Sequence, residues 1–88
     1  MKLTREDREY LREHFHEEEW AINQIEEAVK KTTFKIGGKR VTSEEVIRRI
    51  GREHFLSCMD RSAFHWSATT ETPDGERVDF DSRRFFRT

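Results

Sequence analysis

Residues 42–66 read TSEEVIRRIGREHFLSCMDRSAFHW, from Thr42 to Trp66, and this stretch decides the fold. Val46, Ile47, Ile50, Gly51, His54, Phe55, Cys58, Met59, Ser62, Ala63 and Trp66 recur at steps of three and four. That is the period of one helix lying with its apolar and small residues against a core. Thr42 and Glu45 have the spacing of a capping box at its start. A single helix from Thr42 to Trp66 is therefore expected, with Ile47, Ile50, Phe55 and Met59 as its spine.

On either side of this helix the periodicity changes from helical to alternating. Upstream, Thr32 to Thr42 reads as a β-hairpin turning at Gly37-Gly38, where positive φ is needed. That register pairs Ile36 with Lys39 and Phe34 with Val41. It puts Phe34, Ile36 and Val41 on one face, Lys35 and Arg40 on the other. Downstream, Thr72-Pro73-Asp74-Gly75 is a turn signal. Pairing outward sets Glu71 opposite Arg77, Thr70 opposite Val78 and Ala68 opposite Phe80. Thr69, Glu71, Arg77, Asp79 and Asp81 then share the second face.

The N-terminal third is helical. Thr4 caps a first helix whose opening acids, Glu6 and Asp7, suit the positive end of the helix dipole. Tyr10, Leu11 and Phe15 mark its buried side. Glu17-Glu18-Glu19 reads as the first turn of a second helix carrying Ile22, Ile25 and Val29. No Gly or Pro separates the two segments, so one long helix and a break near His16 both fit, and the acidic run favours the break.

The 88 residues suit one domain, 1–88. Charged residues make up 40% and hydrophobic ones 33%, a balance that disordered chains share. Seven Phe, two Trp and one Tyr, placed periodically, argue instead for a small aromatic core, since each ring buries roughly 150–250 Å². The net charge of −1 excludes a strong overall field toward nucleic acid or membrane. Residues 1–31 hold six Lys and Arg against nine Asp and Glu, and residues 32–88 hold eleven against nine. Cys58 is alone, so no internal disulfide is expected and a reducing cytoplasm fits. The opening residues, Met1 to Glu6, have no apolar run of a secretory leader. No segment approaches the ~20 apolar residues of a membrane helix, and no membrane partner is expected.

Catalytic and metal chemistry find little support. His54 and Cys58, four apart on a helix, can present two metal ligands. No CxxC or HxxxH completes the set, and His14, His16 and His65 lie off the stripe. Cys58 reads as a small core thiol beside a boundary histidine. Ser57, Ser62 and Ser67 lack a nucleophile elbow. Gly37-Gly38-Lys39 is a hairpin turn and not a phosphate loop. The carboxylates Glu17, Glu18, Glu19, Glu26, Glu27, Glu44, Glu45, Asp79 and Asp81 read as helix-start or solvated charges. Glu44–Arg48 and Glu45–Arg49 have the i,i+4 spacing of ion pairs. No catalytic residue, metal or cofactor is assigned.

Two binding surfaces are candidates. Trp20 sits roughly 160–200° around its helix from Ile22 at ~100° per residue, and Phe85-Phe86 end a short terminal segment. Trp20, Phe85 and Phe86 are therefore expected to meet a protein partner or a second copy of the chain. Lys35, Lys39 and Arg40, with Arg83, Arg84 and Arg87, are the expected footprint of a weak electrostatic contact with nucleic acid. Arg48, Arg49 and Arg52 are expected on the exposed side of the 42–66 helix.

Ser62-Ala63-Phe64-His65-Trp66-Ser67-Ala68, with Thr72-Pro73-Asp74-Gly75 and Val78-Asp79-Phe80-Asp81-Ser82, resembles the C-terminal part of small uncharacterised proteins. These are encoded in conjugative transposons and related mobile elements of Gram-positive anaerobic bacteria. The resemblance implies an accessory product of a mobile element and carries no activity or cofactor onto any residue. The expected fold is α+β, with two or three helices packed on one face of an antiparallel sheet made from two β-hairpins. The expected role is that of a non-enzymatic interaction protein.

Overall fold

The computed structural model describes Met1 to Phe86. Arg87, named above among the basic residues, and Thr88 lie outside the described residues. The described chain forms α1 (Arg5–His14), α2 (Glu19–Lys31), β1 (Thr33–Ile36), β2 (Lys39–Val41), α3 (Ser43–Ile50), α4 (Arg52–His65), β3 (Ser67–Glu71), β4 (Arg77–Asp81) and a 3-10 helix, Arg83–Phe86. The strands make one antiparallel sheet in the order β2-β1-β4-β3. Helices cover one face of it, so the fold is α+β.

Both hairpins have the expected register. Ile36 pairs with Lys39 and Phe34 with Val41, and Ala68, Thr70 and Glu71 pair with Phe80, Val78 and Arg77. Gly37 and Gly38 carry φ of 59° and 82°, the doubly left-handed turn that a two-residue hairpin requires. β1 then joins the hairpins by pairing with β4, Phe34 opposite Phe80 and Ile36 opposite Val78. The N-terminal helix breaks at His16, which takes a φ of 55°. Thr4 and Asp7 form a full capping box on α1, with Asp7 N–H donating to Thr4 Oγ1 at 3.1 Å and Thr4 N–H to Asp7 Oδ2 at 2.8 Å.

The stretch 42–66 is two helices and not one. Gly51 adopts φ 92° and ψ 155°, a conformation that only glycine reaches without strain. Its N–H closes α3 on Ile47 O at 2.7 Å, and its carbonyl opens α4 by accepting from Phe55 N at 3.0 Å. The expected stripe is cut accordingly. Val46, Phe55, Cys58, Met59, Ser62 and Ala63 are buried and Ile47 and Ile50 half-buried, but Gly51, His54 and Trp66 are exposed. Leu56, outside the stripe, is in the core. The expected i,i+4 pairs are replaced as well. Thr42 caps Glu45 N at 3.1 Å, while the Glu45 carboxylate pairs with Arg48. Arg49 reaches off the helix to Glu76 at 2.5 Å and Asp74 at 3.4 Å. It thereby pins α3 to the β3–β4 turn.

Three rings make the centre. Phe34 of β1, Phe55 of α4 and Phe80 of β4 lie 5.3–5.7 Å apart between centroids. A buried hydroxyl chain runs beside them. Thr32 Oγ1 donates to Ala28 O at 2.7 Å and contacts Ser82 Oγ at 2.7 Å, which contacts Ser62 Oγ at 2.5 Å. Each hydroxyl has one proton, so the direction is fixed: Ser62 donates to Ser82, Ser82 to Thr32 and Thr32 to the carbonyl. The chain ties α4, the end of β4 and the end of α2 without an unpaired hydroxyl.

Asp7 joins α1 to α4. Its buried carboxylate takes a fork from Arg52, Nε to Oδ1 at 2.6 Å and Nη2 to Oδ2 at 2.7 Å. Burial pushes the Asp7 carboxyl up, but the Arg52 fork and the Thr4 N–H outweigh it and hold it below the ordinary 3.8. A depressed carboxylate stabilises the fold above its unfolded value, and that contribution disappears as pH falls through the folded value. Asp7→Asn should therefore cost about 1.5–3 kcal/mol at neutral pH, the worth of hydrogen bonds to a charged group. In urea melts the gap between parent and variant should close in acid below 3.8. A gap that persists undiminished there would contradict the assignment.

Candidate functional site

The expected basic footprint does not converge. β-alternation puts Lys35 and Arg40 on the open face of the sheet and Lys39 on the opposite face. Arg83 follows β4, beside Thr33 and Asp81 and at the far end of β1 from Lys39. The acids between these residues are already engaged. Arg83 forks onto Asp81 at 3.0 and 2.8 Å, holding that carboxyl below its usual range. Arg77 pairs with Asp79 at 2.8 Å, and Asp79 lies across from Lys35. Lys39, Arg40 and Arg84 are exposed. Arg48 and Arg52 are exposed as expected and Arg49 is half-buried, while Arg49 and Arg52 are also engaged in ion pairs to Glu76 and Asp7. The open sheet face, with Thr33, Lys35, Ser67, Thr69, Arg77 and Asp79, offers charge of both signs and no large aromatic platform. That is poor ground for stacking bases.

His54 is exposed and its Nε2 bonds Thr70 Oγ1 at 2.9 Å. Cys58 is buried, and burial pushes its thiol up, with Arg61 opposing weakly. A buried, protonated thiol is a poor nucleophile. Among the described residues no group of three or more His, Cys, Asp or Glu is placed to hold a metal ion. None of the described helices is long and apolar enough to cross a membrane.

The aromatic candidates separate into anchors and exposed rings. Phe85 is half-buried and packs on the core, so it docks the 3-10 helix. Trp20 is 63% exposed, Trp66 58% and Phe86 38%. Trp20 meets Phe64 edge-on at 6.2 Å, and Trp66 meets Phe86 at 6.0 Å. Phe64 lies in the last turn of α4 and Trp66 is its C-cap residue, so each pair includes a residue from the same helix end. Trp66 was expected inside the stripe. Instead it makes the whole connection from α4 to β3 in one residue, at φ 73°. Its carbonyl accepts from Ser82 N at 2.7 Å. A bulky residue at positive φ costs of order 1–3 kcal/mol, and glycine would do the same turn without that cost.

A cleft opens against Trp20 and Phe64, lined also by Glu17, Asp60, Arg61 and His65, with a volume of about 620 Å³. Glu17 comes from the α1–α2 connection and Asp60 from α4. Trp20 is steadied over the cleft by a hydrogen bond from Nε1 to Glu18 Oε2 at 2.8 Å. Asp60 Oδ1 is buried with no donor. Burial first, then the hydrogen bond and charge of Glu17, push the Asp60 carboxyl up to about 7. A second carboxylate lining the same cleft disfavours ionisation of the first. Sequence reasoning named Glu17 as an ordinary helix-start acid and passed over Asp60. The one available signal was Asp60 four residues before Phe64, on the flank of the buried arc.

No protein-family model matches the chain, and no curated protein or solved structure matches it.

The raised Asp60 carboxyl has a thermodynamic consequence. A folded value of about 7 against the ordinary 3.8 favours the fold while the group stays protonated. That advantage is full below the unfolded value and is lost as pH rises through the folded one. Asp60→Asn, permanently neutral, should match the parent only at or below pH 3.8, melt increasingly higher as pH rises to about 7, and hold that advantage above it. Parallel pH profiles for the two proteins would contradict the assignment.

Proposed function

We propose that the protein is a non-enzymatic interaction module whose binding surface is the aromatic edge formed by Trp20, Phe64, Trp66 and Phe86. One observation carries this reading: two tryptophans in an 88-residue chain are both more than half exposed. Aromatic side chains supply much of the binding energy at protein interfaces, often ~2 kcal/mol or more per ring on truncation. Trp66 adds weight because its backbone tolerates a strained conformation that a glycine would relieve. A strained residue retained at a surface points to a use for its side chain. In this proposal the partner is a protein, or a second copy of the chain, and the setting is an accessory role in a mobile element, as the resemblance of residues 62–82 implies. The ion-paired sheet face and the scattered basic residues weigh against nucleic acid as the main ligand.

Trp20→Ala, Trp66→Gly and Phe86→Ala test the surface. Trp66→Gly should keep or raise stability, since glycine suits the positive φ, while removing the ring. Sedimentation velocity reports self-association, and crosslinking in the native host reports partners. Each variant should stay folded, and Trp20→Ala and Trp66→Gly should weaken association at least tenfold, equal to about 1.4 kcal/mol. Folded variants that associate as the parent does would overturn the proposal.

A further inference from the structure

We propose that the cleft between Glu17 and Asp60 receives a single organic cation, the arginine side chain of a protein partner. The inference rests on the reading of this edge as a protein-binding surface and names the chemistry that it selects. Three observations converge. The first is the shape of the aromatic wall. Trp20 and Phe64 stand at an interplanar angle of 83° with centroids 6.2 Å apart, so they form a corner and not a flat patch. The indole is held in place by Glu18. A cation over an indole face is attracted by the ring's negative quadrupole, and guanidinium, being planar and weakly hydrated, also stacks on it.

The second is uncompensated negative charge. Ion pairs elsewhere engage Asp7, Glu9, Glu19, Glu26, Glu27 and Glu45, and the acids of β4 and its turn. Glu17 and Asp60 have no such partner among the described residues, as is also true of Glu6, Glu13, Glu18, Glu44, Glu53 and Glu71, but these two line one cleft together. Arg61 lines the same cleft and pairs with neither. The third is the orphaned Asp60 Oδ1, a buried carboxylate oxygen with no donor, on a residue that lines the cleft. A forked guanidinium matches a pair of carboxylates better than an ammonium does. A metal ion fits less well: the described residues hold no group of three or more His, Cys, Asp or Glu that could bind one.

A guanidinium in the cleft competes with the proton on the Asp60 carboxyl. Binding should therefore strengthen as Asp60 ionises. With its carboxyl at about 7, affinity should rise about tenfold from pH ~6 to pH ~8, with a proton released on binding below about pH 7 and little release above it. The charged and titratable groups facing Asp60 are Glu17 from the α1–α2 connection and Arg61 and His65 from α4. His65 is the one other group of the cleft able to shape the same pH profile, so it is controlled directly.

The test uses the full chain carrying Trp66→Phe, which leaves Trp20 as the only tryptophan. Its fluorescence is followed while N-acetyl-arginine methylamide is added, with the neutral citrulline analogue as the control. The expected result is a saturable change with a Kd of about 1–10 mM, absent with citrulline. It should weaken at least fivefold in Glu17→Gln and in Asp60→Asn and survive in His65→Gln with the same pH trend. An equal response to citrulline, or an arginine response untouched in folded Glu17→Gln and Asp60→Asn, would overturn the proposal. So would displacement of arginine by equimolar calcium or zinc chloride. A negative result with the small probe removes the cation site and leaves the aromatic edge to its own variants. Unchanged association in those variants removes the edge, whatever the probe shows.

Discussion

The contact among Phe34, Phe55 and Phe80 is the constraint on which the rest of the molecule depends. It is where β1, β4 and α4 meet. β1 and β4 come from different hairpins, so their pairing is the step that turns two hairpins into one sheet. Neither hairpin alone would be stable in water. The rings supply the buried area that holds them together, and the helix that brings Phe55 covers the joint. The Ser62–Ser82–Thr32 chain then fixes how the end of β4 sits against α2 and α4. Polar groups are affordable there because every proton has an acceptor, leaving no desolvated donor.

Outside this centre the chain is mostly charge, and the arrangement of that charge separates framework from site. Asp7–Arg52, Arg8–Glu26 and Arg49–Glu76 link elements distant in sequence. Arg77–Asp79 and Arg83–Asp81 neutralise β4 locally. The sheet face is left nearly self-compensated. At the end of α4, Glu17 and Asp60 line one cleft without an ion pair, beside Arg61 and the rings of Trp20 and Phe64. The strained Trp66 belongs to the same edge, and it turns the chain into β3 while holding its ring outward.

Much of the framework was legible in the sequence because it follows from local rules. Alternation about Gly37-Gly38 and about the 72–75 turn sets strand register, since a slip of one residue would reverse every face. The acids at 17–19 and the cap at Thr4 mark helix starts. The break at Gly51 was not legible, because apolar residues recur at helical steps on both sides of it. A period through a glycine does not reveal that the glycine has left the helical region. Leu56, off the stripe yet buried, is the trace of the new axis. The ion pairs of Arg49 with Glu76 and of Arg52 with Asp7 were not legible, because these partners are brought near only by the tertiary fold. The same holds for Glu17 and Asp60. Trp20 was legible as an outward ring from its angle around α2. Phe85 was not distinguishable from Phe86, because adjacent residues of a short terminal helix give no periodicity to separate the anchor from the exposed ring.

Native-state hydrogen exchange, followed amide by amide, tests the central role of the Phe34–Phe55–Phe80 contact most directly. The slowest amides open only on global unfolding. If these rings hold the structure together, the slowest set should comprise the β1–β4 ladder around Phe34 and Phe80 and the α4 amides following Phe55, with α1 and the 3-10 helix exchanging faster. A slowest set confined to α1 and α2, with the β1–β4 ladder opening at lower free energy, would contradict it.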